Sequence, residues 1–301
     1  MATLLITGGT GLIGKALTKK LLKQGHNVRI LSRTPSPNSK IPSFFWNVES
    51  QEMDDKAFDG IDHLVHLAGI GVADKRWTDK RKQEIIDSRV NSMKLISDTV
   101  KQKGIQLKSF VGASAIGIYG METSDTVFSE EDKGSKDFLS ETCELWEKSY
   151  TDISILANKT AILRIGVVLS KQGGALERLI PLFKKGLGSA IGNGKQYMPW
   201  IHIDDMVSVI MEGLFNEQFK GIYNAVAPEH ITNATFSKQL AQVLSKPFFM
   251  PNVPAFAMKL VFGEMANVLL SGSRASNKKL LESGFEFKYP TLNEALKQII
   301  S

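Results

Sequence analysis

Residues 8 to 14, Gly-Gly-Thr-Gly-Leu-Ile-Gly, set four glycines in seven positions directly after the apolar run 3 to 7. Gly9-Thr10-Gly11-Leu12-Ile13-Gly14 satisfies G-x-G-x-x-G, and Gly8, Gly11 and Gly14 also satisfy the wider G-x-x-G-x-x-G register. The chemistry this suits is pyrophosphate binding. The turn needs positive φ, the anion needs backbone without side chains in its way, and Gly14 lets a helix pack on the preceding strand with its N-terminus facing the charge. A strand precedes and a helix follows, so the pattern predicts a dinucleotide site built on Gly8, Thr10, Gly11, Leu12, Ile13 and Gly14.

Which dinucleotide follows from an absence. An acid about 20 residues beyond the glycines is the usual partner of a ribose 2′-hydroxyl, yet no Asp or Glu occurs before Glu49. The second strand ends instead in Ser32-Arg33-Thr34. Residues 1 to 48 hold Lys15, Lys19, Lys20, Lys23, Arg29, Arg33 and Lys40, which suit a 2′-phosphate. Lys19 and Lys23 also read as solvated helix-face charges. Arg33 is therefore the predicted phosphate contact and NADP the predicted cofactor.

The remaining reactive residues predict less. His63 and His66 lie three apart on one strand, so their side chains point to opposite faces and cannot chelate one metal. His202 reads as structural, and Asp204 and Asp205 as caps of the helix that follows. No metal site is expected. The lone Cys143 excludes an internal disulfide and suits a reducing compartment.

These residues need a scaffold, and the apolar pattern supplies one. Runs at 3–7, 27–32, 62–69, 107–114 and 159–169 are near-continuously apolar, as in strands covered on both faces. Stretches 11–24, 78–103 and 138–157 carry helical spacing, giving β-α-β-α order and an α/β doubly wound parallel sheet. Beyond Gly173 the pattern loosens into helices at about 173–186, 204–216, 235–245 and 254–269, with one more strand at 221–226. The expected division is a dinucleotide-binding domain over 1–170, with 204–226 returning to its sheet, and a smaller, mostly helical substrate-side domain over 171–301. A chain of 301 residues, 43% hydrophobic, can bury a large core without staples. The net charge of +6 comes without a basic run interleaved with aromatics, so no nucleic acid partner is expected. No apolar stretch approaches membrane-spanning length, and residues 1–7 show neither a basic n-region nor a small-residue cleavage site, so neither export nor a membrane span is expected. The expectation is a cytoplasmic protein, off the membrane, with a small-molecule substrate.

The stretches TGGTGLIG, VHLAG, SAIGIYG, LRIGVVLS, GGAL, IGNGKQYMPWIHIDDM and GSRASNKKLLESGFEFKYPTLNEAL cover nearly the whole chain. With them the chain resembles an extended short-chain dehydrogenase/reductase of the NAD-dependent epimerase/dehydratase superfamily, in the branch labelled only "epimerase family protein". The resemblance implies a Rossmann domain with a small C-terminal domain and an NADP-type cofactor. It also implies that Leu67, Ala68 and Gly69 line the adenine side, and that Arg164, Gly166 and Val167 pass near the nicotinamide.

The superfamily's usual acid/base pair, Tyr-x-x-x-Lys on one helix face, is missing. None of Tyr119, Tyr150, Tyr197, Tyr223 and Tyr289 has Lys four residues on. By the resemblance Cys143 takes the tyrosine place and Glu147 the lysine place, which inverts the electrostatics: a carboxylate beside a thiol raises its pKa above about 8.5. Leu139, Cys143, Trp146 and Tyr150 also fall on one helical stripe, so the cysteine reads equally as core. Ser114 resembles the strand-end hydroxyl that holds a substrate oxygen, and Asn91 the asparagine that supports the active-site helix. The catalytic candidates are Ser114, Cys143 and Glu147. Two functions fit: an NADP(H)-dependent oxidoreductase or epimerase-like enzyme on a small organic substrate with a non-standard acid/base set, or a catalytically inactive NADP(H)-bound sensor or scaffold. Either is expected as a monomer or a homodimer.

Overall fold

The computed structural model describes residues 1–36 and 40–301. Its strands are β1 (Thr3–Thr7), β2 (Asn27–Ser32), β3 (Ser43–Asn47), β4 (Glu52–Met53), β5 (His63–His66), β6 (Ser109–Ala115), β7 (Val127–Phe128), β8 (Thr160–Ile165), β9 (Val167–Leu169), β10 (Trp200–His202), β11 (Gly221–Ala225) and β12 (Arg274–Ala275). Its helices are α1 (Leu12–Lys23), α2 (Asp79–Gln102), α3 (Phe138–Lys148), α4 (Thr151–Ile155), α5 (Gly174–Lys184), α6 (Ile203–Phe215), α7 (Asn233–Val243), α8 (Ala255–Phe262), α9 (Asn267–Leu270), α10 (Lys278–Glu282) and α11 (Leu292–Ile300).

Eight strands form one sheet in the order β11-β8-β6-β5-β1-β2-β3-β4, parallel throughout except for antiparallel β4 at the edge. The order reverses direction beside β1, as in a doubly wound, Rossmann-like sheet, and both faces are covered. On one face α1 buries Gly14, Leu17, Thr18 and Leu21 at helical spacing, and packs with α6 over Leu4, Ile6, Val65 and Val111. On the other face α2, α3 and α4 bring Met93, Ile96, Trp146 and Ile153 against Leu5, Leu64 and Phe110. A third cluster, with Trp200, Phe236, Leu292 and Leu296, packs α5, α7 and α11 around the small β9–β10 sheet. Among the described residues no helix is long and apolar enough to cross a membrane.

Several elements differ from their sequence expectation for physical reasons. The run 159–169 is two strands, because the chain changes partner at Gly166. The Gly166 N–H still donates to the Ala225 carbonyl of the main sheet at 3.2 Å, while the Val167 N–H donates to Pro199 at 2.8 Å and starts β9. The stretch 138–157 is two helices, separated at Ser149 and Tyr150. Strands β3 and β4, which extend the sheet beyond β2, are unanticipated. The cap of α6 is His202, whose Nδ1 accepts the Asp204 N–H at 3.1 Å, in place of the aspartates. Asp205 instead accepts the N–H groups of Lys288 and Tyr289 at 2.8 and 3.1 Å, tying α6 to the C-terminal segment.

Candidate active site

The glycine turn sits where β1 ends and α1 begins, at the C-terminal edge of the sheet. Gly8 has φ of 68° and lies so close to β5 that a Cβ there would stand 2.8 Å from the Leu67 carbonyl carbon. A Cβ on Gly14 would overlap the Gly8 carbonyl oxygen, so only glycine lets α1 start this tightly against the turn. Positive φ is thus confined to Gly8, since Gly11 sits at φ −77°. Helix α1 opens with no side-chain cap and no acid in its first turn, and Thr10 and Gly11 are exposed. Its first N–H groups are the donors a phosphate needs. Across the turn, Thr7 Oγ1 accepts the N–H groups of Leu67 and Ala68, both at 3.2 Å, which fixes the backbone leading to exposed Gly69.

Arg33 is exposed immediately after β2, whose Leu31 pairs with Thr7. The other N-terminal cations are arranged differently from the sequence expectation. Arg29 donates to the carbonyls of Ala57 and Asp59 at 3.0 and 2.6 Å, and Lys15, Lys19, Lys20 and Lys23 line a separate groove against Lys171 and Lys288. Five of the seven N-terminal cations thus lie elsewhere, α1 carrying its lysines toward α6, whereas Arg33, the expected phosphate contact, stays exposed after β2.

The catalytic candidates meet at the ends of β6, β8 and β11, where Ser114, Arg164 and Asn224 are register neighbours. Ser114 Oγ donates to Glu147 Oε1 at 2.6 Å, and Arg164 donates from Nε to Oε1 and from Nη2 to Oε2, each at 2.9 Å. Arg164 Nη1 reaches the Tyr119 hydroxyl at 3.0 Å, and that hydroxyl donates to Asn224 Oδ1 at 2.7 Å. The Arg164 and Glu147 side chains are 6% and 11% exposed, so this is a buried ion pair. Burial by itself would lower the Arg164 pKa, but the hydrogen bonds and charge of Glu147 outweigh it and raise it. Glu147 therefore engages both carboxylate oxygens with partners inside the protein. A lone arginine within the apolar run TAILRIGVVL was the signal for this pair, because a buried cation demands a buried acid.

Cys143 is buried against Ile118, Tyr119, Val226 and Ala275. Its thiol is pushed up to about 12, chiefly by burial and secondarily by Glu147. The sequence anticipated the direction and assigned it to the carboxylate alone. Trp146 and Tyr150 fill the core beside it, Tyr150 donating to the Ala113 carbonyl at 2.6 Å. Asn91 is half-buried on α2. Gly166 and Val167 serve the strand switch, where a Cβ on Gly166 would stand 2.8 Å from the Pro199 carbonyl oxygen. Among the described residues no group of three His, Cys, Asp or Glu side chains is placed to hold a metal ion.

Two family models match this chain. One, described as "NAD dependent epimerase/dehydratase family", spans residues 4–225, and the other, "Domain of unknown function (DUF1731)", spans residues 253–299. The chain is 38% identical over 308 residues to "Epimerase family protein SDR39U1 homolog, chloroplastic" of Arabidopsis thaliana, covering 99% of this chain and 86% of that one. It is 35% identical to "Epimerase family protein ML0860" of Mycobacterium leprae, covering 98% and 94%. A crystal structure of human epimerase family protein SDR39U1 (isoform2) with NADPH superposes with a TM-score of 0.88 at 30% identity, covering 99% of this chain and 98% of that one.

Proposed function

The chain belongs to the NAD dependent epimerase/dehydratase family, and from that premise we propose that it binds NADP(H) at the glycine turn and acts as an oxidoreductase or epimerase-like enzyme on a small organic substrate. The observation that carries the cofactor reading is the uncapped start of α1 beside exposed Arg33, with no acid before Glu49. A relative of the same length and fold that was crystallised with NADPH supports it.

In this reading Gly8 and the backbone of Thr10 to Gly14 cradle the diphosphate, Arg33 takes the 2′-phosphate, and Leu67 to Gly69 border the adenine side. When bound, the nicotinamide supplies or accepts a hydride. The chain's own part is proton handling without a phenol and lysine. Because the Ser114 hydroxyl hydrogen is committed to Glu147, its oxygen is left as an acceptor, suited to a substrate hydroxyl rather than a carbonyl. A proton leaving such a hydroxyl would pass through Ser114 Oγ to Glu147, while Arg164 keeps the carboxylate oriented. Cys143, protonated throughout the neutral range, holds the helix in place and gives up no proton.

A second reading, an NADP(H)-bound sensor or scaffold without turnover, is favoured by one observation: Ser114 is only 2% exposed and its partners satisfy one another. Titration calorimetry tests the shared part. NADPH should bind at least about tenfold, or about 1.4 kcal/mol, more tightly than NADH. Arg33→Asp should narrow or reverse that preference, and equal affinities for the two cofactors in the wild type would sink the reading. Single-turnover redox of the bound cofactor separates the two, with carbonyl compounds tested against bound NADPH and hydroxyl compounds against bound NADP+: turnover with any of them selects the enzyme, none selects the sensor, and simple aldehydes reduced at about 1 per second or faster would contradict the poor carbonyl reduction expected without the Tyr-x-x-x-Lys pair.

A further inference from the structure

We infer that the lysine-lined groove along α1 docks an acidic, amphipathic segment of a partner protein, an inference that does not depend on the cofactor reading. The groove measures about 1000 Å³ and runs between α1, α6, the loop 170–174 and α11. Lys15, Lys19, Lys20 and Lys23 enter it from α1, Lys171 from the loop and Lys288 from the C-terminal segment. Leu12, Ala16, Ile203, Val207 and Ile299 also line it, all buried or half-buried, so its floor is largely apolar.

What sets this groove apart is charge without neutralisation. Among the described residues Lys15, Lys19, Lys20, Lys23 and Lys171 form no ion pair, and the one acidic side chain lining the groove, Asp204, faces Lys288 at 3.7 Å. The long helix on the other face of the sheet is built differently. There Lys82 pairs with Glu264 at 2.7 Å and Lys94 with Asp98 at 2.6 Å. Helix α1 contains no acid at all, so Lys15, Lys19 and Lys23 repel one another at i, i+4 spacing. An anionic segment laid along the helix relieves that repulsion.

The lining also selects the class of anion. Lys15, Lys19 and Lys23 rise about 6 Å apart along α1, which matches carboxylates at i and i+4 of a helix or at i and i+2 of an extended strand. Among the described residues lining the groove there is no arginine, whose planar fork grips single phosphates, and no Trp, Tyr or Phe on which bases stack. Nucleic acid is therefore disfavoured. The apolar floor decides between the remaining polyanions: polyphosphate leaves it wet, whereas an amphipathic segment covers it with aliphatic side chains while its carboxylates meet the lysines at the rim.

The test uses the full chain and fluorescence anisotropy with two labelled helical peptides of equal length and charge, one with Glu at i, i+4 spacing beside a row of Leu, the other with Ser in place of Leu. The Leu peptide should bind at least about tenfold more tightly than the Ser peptide, and more weakly as salt is raised. Lys19→Glu combined with Lys171→Glu should lower that affinity at least about tenfold, and should melt at or above the wild-type temperature because Glu at 19 attracts Lys15 and Lys23. Lys19→Gln with Lys171→Gln should show the same loss in smaller degree and serves if the first variant does not fold. Lys133→Glu with Lys136→Glu makes the same change of net charge on exposed residues outside the groove, and should leave affinity within about twofold. Failure of the wild type to bind the Leu peptide, equal binding of the two peptides, or equal loss in the two Glu variants overturns the inference. Polyphosphate that binds more tightly than the Leu peptide, and is lost in the Lys19→Glu, Lys171→Glu variant, assigns the groove to polyphosphate and overturns it too. Sedimentation decides on a second copy: self-association of the wild type that this variant abolishes assigns the groove to another molecule of the same chain and overturns a separate partner.

Discussion

Glu147 and Arg164 show how much depends on one pair of side chains. Glu147→Gln leaves the Arg164 guanidinium buried without a counter-charge, and should cost about 3–5 kcal/mol in urea denaturation. Adding Arg164→Met should recover most of that loss, because the remaining groups are then neutral; a double variant as unstable as the single one would contradict an electrostatic origin. Cys143 answers to burial. Its folded pKa of about 12 lies above the unfolded value near 9, so its contribution to stability is intact below about pH 9 and is lost as pH rises toward 12. At pH 8 iodoacetamide should alkylate the native thiol only through transient opening, at a rate that follows unfolding in dilute urea. Ready labelling of the native protein would place the sulfur in an accessible site.

Helix α3 delivers both of these residues, and its start is fixed by Asp137, whose carboxylate accepts the N–H groups of Leu139 and Ser140 and, through its other oxygen, of Met121. Asp137→Ala should cost about 1–2 kcal/mol and lower cofactor affinity if the proposed site depends on α3. Strand β5 carries a pH dependence. His63 and His66 are buried, with pKa values lowered from 6.5 to about 4 and about 3, mainly by burial. Their neutral forms favour the fold, so that stability is complete above pH 6.5 and falls as pH drops through 6.5 toward 4. Calorimetry in buffers of different ionisation heat should find protons taken up on unfolding at pH 5 and few at pH 8. Much of this architecture was legible in the sequence: β1, β2 and the span of α1 follow from apolar runs and the glycines to within a residue. Strand β3 was not, because Ser-Phe-Phe-Trp-Asn is a short segment without clean alternation whose place is set by pairing with β2 and the two-residue β4. The Glu147–Arg164 pair was not either, since it depends on the register of β8 against β6 and the docking of α3, neither of which is encoded locally.

A few contacts between distant parts of the chain hold its apolar clusters together. Asp205 is 1% exposed and pins the backbone of Lys288 and Tyr289 to α6. Asp205→Ala leaves two N–H groups without their acceptor and should lower stability by about 2–4 kcal/mol, with earlier proteolysis of the C-terminal segment than of the sheet. The β7–β12 pair is a tie of the same kind, two residues from each strand. Arg274 bonds to Asp125 across 149 positions of sequence, and Asn224 bonds to the Ser276 carbonyl. Closing a loop of that length costs about 4 kcal/mol in chain entropy, more than so short a ladder returns alone. During refolding it should form only after the main sheet has assembled, as a late kinetic phase, and in the native state it should open before the main sheet does. The Ser276 amide, which donates to Phe128 at 2.7 Å, should exchange with deuterium well before the amides of β6. Because Asn224 also accepts from Tyr119, and Tyr119 from Arg164, each such opening loosens the buried network from its far end and sets a rhythm of transient solvent entry beside Glu147.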